Sequence, residues 1–449
     1  MDSERGADAI RLLEDEARAM LTRLGLVKAF ALHETMVPAA AVSVAAQSAI
    51  ETYLARGRRE LRARIHDFLK WLRSAEGRAA DPAEAHTRFA FLRLRFNAVL
   101  THFDVFAIVM TQRSEAEMGV WLSGLDVVAR DALSFVGRHF DVPPVVCYLD
   151  RGFGAAIRRA RTRLPGGGET PVAIVRIPRE RMIGSGIASS LVHEVGHQAA
   201  AILDLVAPLR FAFQSISRAR GPSAEAAPYW ARWIPEIVAD FWASALVGVG
   251  STLGLSGVLS LPRAFVFRAG ADDPHPIPWI RVMLSCALGD ALYPDPQWRR
   301  LADVWASYYP LDRLTGDQRR TIALLENTIP VVIETIARHR PRRLNGRSLL
   351  DVLPIADRQP QRLRVSYQQW RADPSGWRGA APTLAFAVIS QARSDGLLSP
   401  ESEARLLAEL LSYWALRTTI DAAEACAQPH AASRAFRRPI LQPLALGLA

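Results

Sequence analysis

Five residues constrain this 449-residue chain more than any others: His193-Glu194-Val195-Gly196-His197. On a helix, residues four apart stand one turn above each other on one face, so both imidazoles can reach one metal ion. Glu194 sits about 100° around the helix from His193, within reach of a water that such a metal activates. Met182, Ile183, Ile187, Leu191, Val195, Ile202 and Leu203 surround the motif at near-helical spacing, and no proline interrupts residues 180–207. The spacing predicts a helix here. Val195 and Gly196 are small, which is expected to leave room beside the metal. Together these residues point to a zinc ion (Zn²⁺), a base and hydrolysis of an amide bond. The alternative is a buried helix whose histidines merely bond to their neighbours.

A catalytic zinc needs a third protein ligand and leaves a fourth position for water. A third histidine in the following turn is missing: Leu203 stands there, and Asp204 is one position off. Glu236 is the better candidate, in Trp233-Ile-Pro-Glu-Ile-Val-Ala-Asp-Phe-Trp. Pro235 suits the first turn of a helix. Glu236 and Asp240 then share a face. Glu236 binds the metal, while Asp240 accepts the outward N–H of a ligand histidine and fixes its tautomer. The residues around them are apolar, so two acids here need a reason. An ordinary helix N-terminus would explain Glu236 but not a buried Asp240.

His193-Glu194-x-x-His197 with Glu236-x-x-x-Asp240 resembles the gluzincin metallopeptidases. The separation of 39 positions from His197 to Glu236 looks more like the CAAX prenyl proteases and bacterial heat-shock membrane proteases. There, a His-Pro element with a downstream arginine follows, and Asp273-Pro-His275-Pro276-Ile-Pro-Trp-Ile-Arg281 is similar. By that resemblance His275 stabilises the oxyanion or anchors the product end of a substrate, and Arg281 ties its loop to the core. Tyr229 is a second oxyanion candidate. The resemblance covers roughly residues 170–290. It implies a zinc metalloendopeptidase with a protein or peptide substrate.

Half the residues are hydrophobic and 22% are charged, which marks a globular chain. The formal net charge is +10, carried almost wholly by arginine; Lys28 and Lys70 are the only lysines. The densest run, Arg56 to Arg64, reads as the solvated face of a helix, and no nucleic-acid motif accompanies it. Cys147, Cys286 and Cys426 are scattered and odd in number, so no disulfide framework is expected. The first residues are acidic and lack an apolar signal core, which makes the cytoplasm the default location. Phe241 to Pro262 holds no charge and is long enough to span a bilayer. Its glycines and serines fit a buried helix, a turn and a second short helix better.

Helical patterns cover about 8–36, 40–73, 83–112 and 114–138, with Phe89, Phe91, Leu92, Leu94, Phe96, Leu100 and Phe103 as bundle core. Strands are expected at 144–149 and 171–178. Residues 171–177 are expected to form an edge strand that pairs with an extended substrate. Further helices follow at about 278–291, 296–308, 315–339, 347–355, 382–395 and 400–425. The fold class is mainly α, with a small-sheet zincin-like α/β core between helical flanks. Its expected regions are 1–142, 143–310 and 311–426, with a tail at 427–449. Two other readings stand beside the soluble peptidase: a membrane-associated CAAX-type protease, which needs 241–262 to span lipid, and a non-catalytic zinc-binding interaction scaffold, which has no use for Glu194.

Overall fold

The computed structural model describes residues 2–30, 36–137, 140–151, 154–164, 167–179, 184, 186–270 and 272–427. The expected tail and part of the 8–36 pattern lie outside them. Helices dominate the described residues, with one small sheet.

Three long helices open the chain: Asp2–Leu26, Val44–Arg73 and Pro82–Thr111. Their ends follow local chemistry. Ser43 accepts the Ala46 N–H at 3.2 Å, and Pro82 opens the third helix, where its missing donor costs nothing. Residues three, four and seven apart bring Leu13, Ala17, Met20, Leu24, Ile50, Leu54, Phe89, Phe96, Phe103 and Phe106 into one apolar core. Phe91 and Leu94, expected in that core, are exposed instead. Phe91 lies two positions after Phe89, about 200° around the helix, and so faces out. Residues 82–114 are also long and apolar enough to cross a membrane, and 39% of their 18-residue apolar window is buried in the fold.

The sheet has the order β1-β3-β2, with β1 at Val145–Asp150, β2 at Ala156–Arg158 and β3 at Ala173–Pro178. β1 runs parallel to β3 and β2 antiparallel to it. Side chains alternate across it. Val146 and Ile174 join the N-terminal core, while Cys147, Leu149, Val175 and Ile177 face a second, larger one. The expectation that 171–177 is an edge strand fails. β3 is central, and the edge falls to β2, three residues too short to be seen as a strand in the sequence.

The larger core runs from Leu122 to Trp414 without a break at the expected 142/143 or 310/311 boundaries. It centres on Gly186–Leu203, the histidine helix, packed against Pro222–Val247, the glutamate helix, and against Val249–Leu259. Residues 241–262 do not form one span. The glutamate helix ends at Val247, Gly248 turns at φ 56°, and a second helix follows. Only glycine adopts that turn readily. Phe241, Trp242, Leu246, Val247 and Val249 are all buried in this core. Pro278–Leu292, the arginine helix, completes the part that bears on the site.

Candidate metal centre

The histidine helix stops where its sequence stops being helical. Asp204, exposed at φ 52°, takes a left-handed turn, and the next helix, Val206–Ile216, leaves at 85°. Asp204 is thereby removed from the site. Gly196 does not open space beside the metal, as its size led us to expect. It faces the glutamate helix, where a Cβ would stand 2.9 Å from Ala239 Cα and 3.0 Å from Trp242 Cβ. Its lack of a side chain is what lets the two helices touch.

Pro235 does not begin the glutamate helix, which starts at Pro222 after Gly221. An interior proline leaves the carbonyl four residues earlier without its helical donor. That carbonyl belongs to Ala231, and Arg210 Nε donates to it at 3.1 Å. With its orphan acceptor satisfied, the helix continues through Pro235. Glu236 and Asp240 therefore lie in its middle, and a helix N-terminus explains neither.

His193, His197 and Glu236 come together, each offering a ligand atom within 4.8 Å of the others. His193 Nε2 is 3.3 Å from Glu236 Oε2, and His197 Nε2 is 3.4 Å from Glu236 Oε1. A tetrahedral ion with bonds of about 2.0–2.2 Å needs ligand atoms roughly 3.3–3.6 Å apart. Each histidine–carboxylate distance matches that spacing, and two imidazoles with a carboxylate are donors that such an ion accepts. Behind it, His193 Nδ1 lies 2.7 Å from Asp240 Oδ1, which leaves Nε2 turned to the site.

Arg281 departs from its expected part. Its Nε donates to Asp240 Oδ2 at 2.7 Å, and one terminal nitrogen donates to Asp240 Oδ1 at 2.9 Å and Glu236 Oε2 at 3.1 Å. One buried guanidinium thus holds the carboxylates of ligand and supporter together. The charges shape each other. Burial opposes ionisation of Glu236, but His193 and Arg281 outweigh it and hold the carboxyl down at about 2. Burial likewise opposes a charged His193, but Asp240 outweighs it and holds the imidazole up at about 9. Burial and charged His193 push His197 down to about 4. Burial raises Glu194 above the usual carboxyl range.

These groups line one cleft of about 790 Å³, in the range of ligand sites. Glu194 is on its wall with His275 and Asp273. His275 Nε2 is 3.5 Å from Glu236 Oε2, so the loop histidine does reach the centre. Asp273, which had no assigned part, holds His275 Nδ1 and its backbone N–H, each at 3.0 Å. Trp233 donates to the Asp273 carbonyl at 3.3 Å and braces that loop on the glutamate helix. Tyr229 is not brought in. It packs against Trp233 and Arg232 and is absent from the cleft wall.

The chain was compared with models of protein families, with curated proteins and with solved structures, and none of the three gives a match.

Proposed function

We propose that this protein is a zinc-dependent peptidase with a zincin-like core of the gluzincin kind. The observation that carries the reading is a base, Glu194, beside a His193–His197–Glu236 donor set in an open cleft. Two nitrogens and a carboxylate oxygen suit zinc at a catalytic site. Bound there, zinc supplies Lewis acidity and brings water within reach of deprotonation near neutral pH. Glu194 takes the proton from the attacking water and passes it to the leaving amine. Its raised affinity for a proton, a result of burial, suits both halves of that transfer. His275, oriented by Asp273, donates to the oxygen on which negative charge develops. Asp240 orients His193, and Arg281 fixes Asp240 and Glu236 relative to each other. A purely structural zinc site would have no use for Glu194 or for the cleft.

Metal analysis and peptide hydrolysis on three proteins test this. The wild type is expected to hold about one zinc per chain. Glu194→Gln should keep the zinc and lose hydrolysis by about 10²–10⁴-fold. Glu236→Ala should bind zinc more weakly. Full zinc retention in Glu236→Ala would remove Glu236 as third ligand. Undiminished hydrolysis by Glu194→Gln would remove the proposed base.

A further inference from the structure

The wall of the cleft facing the metal ligands is built by β2 and the residues around it. Ile157 pairs with Val175, which faces the larger core, so Ile157 turns toward the histidine helix. Alternation carries Ala155 and Arg159 to the same side; all three line the cleft, as do Gly154 and Ala156, whereas Arg158 does not. Ala155, Ile157 and Arg159 thus form a row about 13 Å long, at roughly 3.3 Å per residue. The row is small, then apolar, then cationic. Its end is fixed, because the Ala160 N–H donates to buried Gln198 Oε1 at 2.9 Å, and Gln198 adjoins His197. The backbone next to Arg159 is therefore anchored to the histidine helix itself.

The charges of the cleft are unevenly committed. Arg281 is held by Asp240 and Glu236, and His275 by Asp273. Arg159 is exposed and makes no ion pair among the described residues. The cleft also offers apolar surface at Val206, Leu255, Val258 and Leu259, with hydroxyls at Ser189, Ser190 and Ser251.

We infer that Arg159 determines specificity: the cleft selects a peptide that presents a carboxylate to Arg159 and an apolar side chain two residues away, against Ile157. This rests on the peptidase reading above. An extended peptide beside the β2 edge places alternate side chains on one face at the same repeat as the row. The carboxylate comes from an Asp or Glu side chain or from the peptide's own C-terminus. A guanidinium–carboxylate contact of this kind contributes about 1.5–3 kcal/mol, or roughly 10–150-fold in affinity.

The test uses octapeptides of alanine and leucine in which one Glu, Gln or Lys is walked through every position, each with a free or an amidated C-terminus. Hydrolysis is measured with the zinc-loaded wild type and with Arg159→Glu. Binding is measured by fluorescence anisotropy on zinc-loaded Glu194→Gln with and without Arg159→Glu. Glu at one position should raise kcat/KM at least tenfold over Gln, mainly through KM, and Arg159→Glu should transfer the preference to Lys. A preference lost on amidation assigns the carboxylate to the C-terminus; one that survives assigns it to the side chain. Hydrolysis with no acidic preference, or a preference unchanged in Arg159→Glu, overturns the inference and leaves the peptidase reading intact. Binding that depends on Arg159 without any hydrolysis overturns the peptidase reading instead. No hydrolysis and no charge-dependent binding overturns both.

Discussion

On one face of the sheet, Val146 and Ile174 meet an interior of Phe89, Phe96, Phe103 and Phe106; on the other, Cys147, Val175 and Ile177 meet an interior that leads to six ionisable groups, His193, Glu194, His197, Glu236, Asp240 and Arg281. Of the buried polar or charged side chains described, only His102 falls within residues 2–111. Glu194, Glu236, Asp240 and Arg281 are all buried on the metal side. The N-terminal side is held by burial of apolar surface, which is non-directional and tolerates repacking. The metal side depends on charges that are tolerable only while each has its counterpart. A fold that needs only stability has no reason to assemble the second kind of interior.

Substitutions separate the two sides most sharply. Phe106→Ala removes a fully buried ring from the N-terminal core and should cost about 3–5 kcal/mol in denaturant unfolding, with zinc affinity unchanged. Arg281→Met keeps the volume but strands Asp240 and Glu236, and should also cost about 3–5 kcal/mol, now with altered zinc binding. If both variants moved stability and zinc affinity together, the two interiors would be one. Acid should then tell them apart within the wild type. Every described carboxyl held below its ordinary value lies past the sheet, Glu236 and Asp295 among them. Burial works against Asp295, but Arg364 outweighs it and holds the carboxyl down. A depressed carboxyl stabilises the fold above its ordinary value, and that contribution is lost as pH falls through the folded value. For Glu236 in the metal-free protein the window runs from 4.5 down to about 2. Hydrogen exchange resolved by segment should show the metal-side helices opening in that window before Val44–Arg73 does.

A smaller effect probes the support behind the ligands. Asp240→Asn should weaken zinc binding by about 10–100-fold in a competition titration, with Glu194 chemistry still detectable at saturating zinc. Smallest are the helix caps. Ser43→Ala on one side and Thr315→Ala on the other should each cost about 1 kcal/mol, because each accepts a first-turn N–H. Unequal cap costs would place part of the contrast at the helix ends instead of in the interiors.

Which parts were legible from the sequence follows the same division. The long helices carry their periodicity openly, and expected ranges such as 83–112 and 278–291 lie within a residue or so of Pro82–Thr111 and Pro278–Leu292. The three candidate ligands were legible because His193 and His197 stand one helical turn apart and Glu236 is an acid set among apolar residues. Relations across the chain were not. β3 is central only because β2 folds back beside it, and three residues carry no visible period. Pro235 read as a helix start because its remedy, Arg210, comes from another helix. Arg281 sits 41 residues from Asp240, and nothing local marks it as the bridge between two carboxylates. Tyr229 was chosen for nearness in sequence, but its ring turns to Trp233 and Arg232.

Gly196 sets a mechanical tolerance. The candidate ligand atoms stand 3.3–3.4 Å apart across two helices whose backbones approach closely at this residue. One added carbon would act as a wedge between them, and the gap it opens would appear directly between the jaws that an ion would bridge. Such a site would lose its grip on a metal with every donor atom still in place.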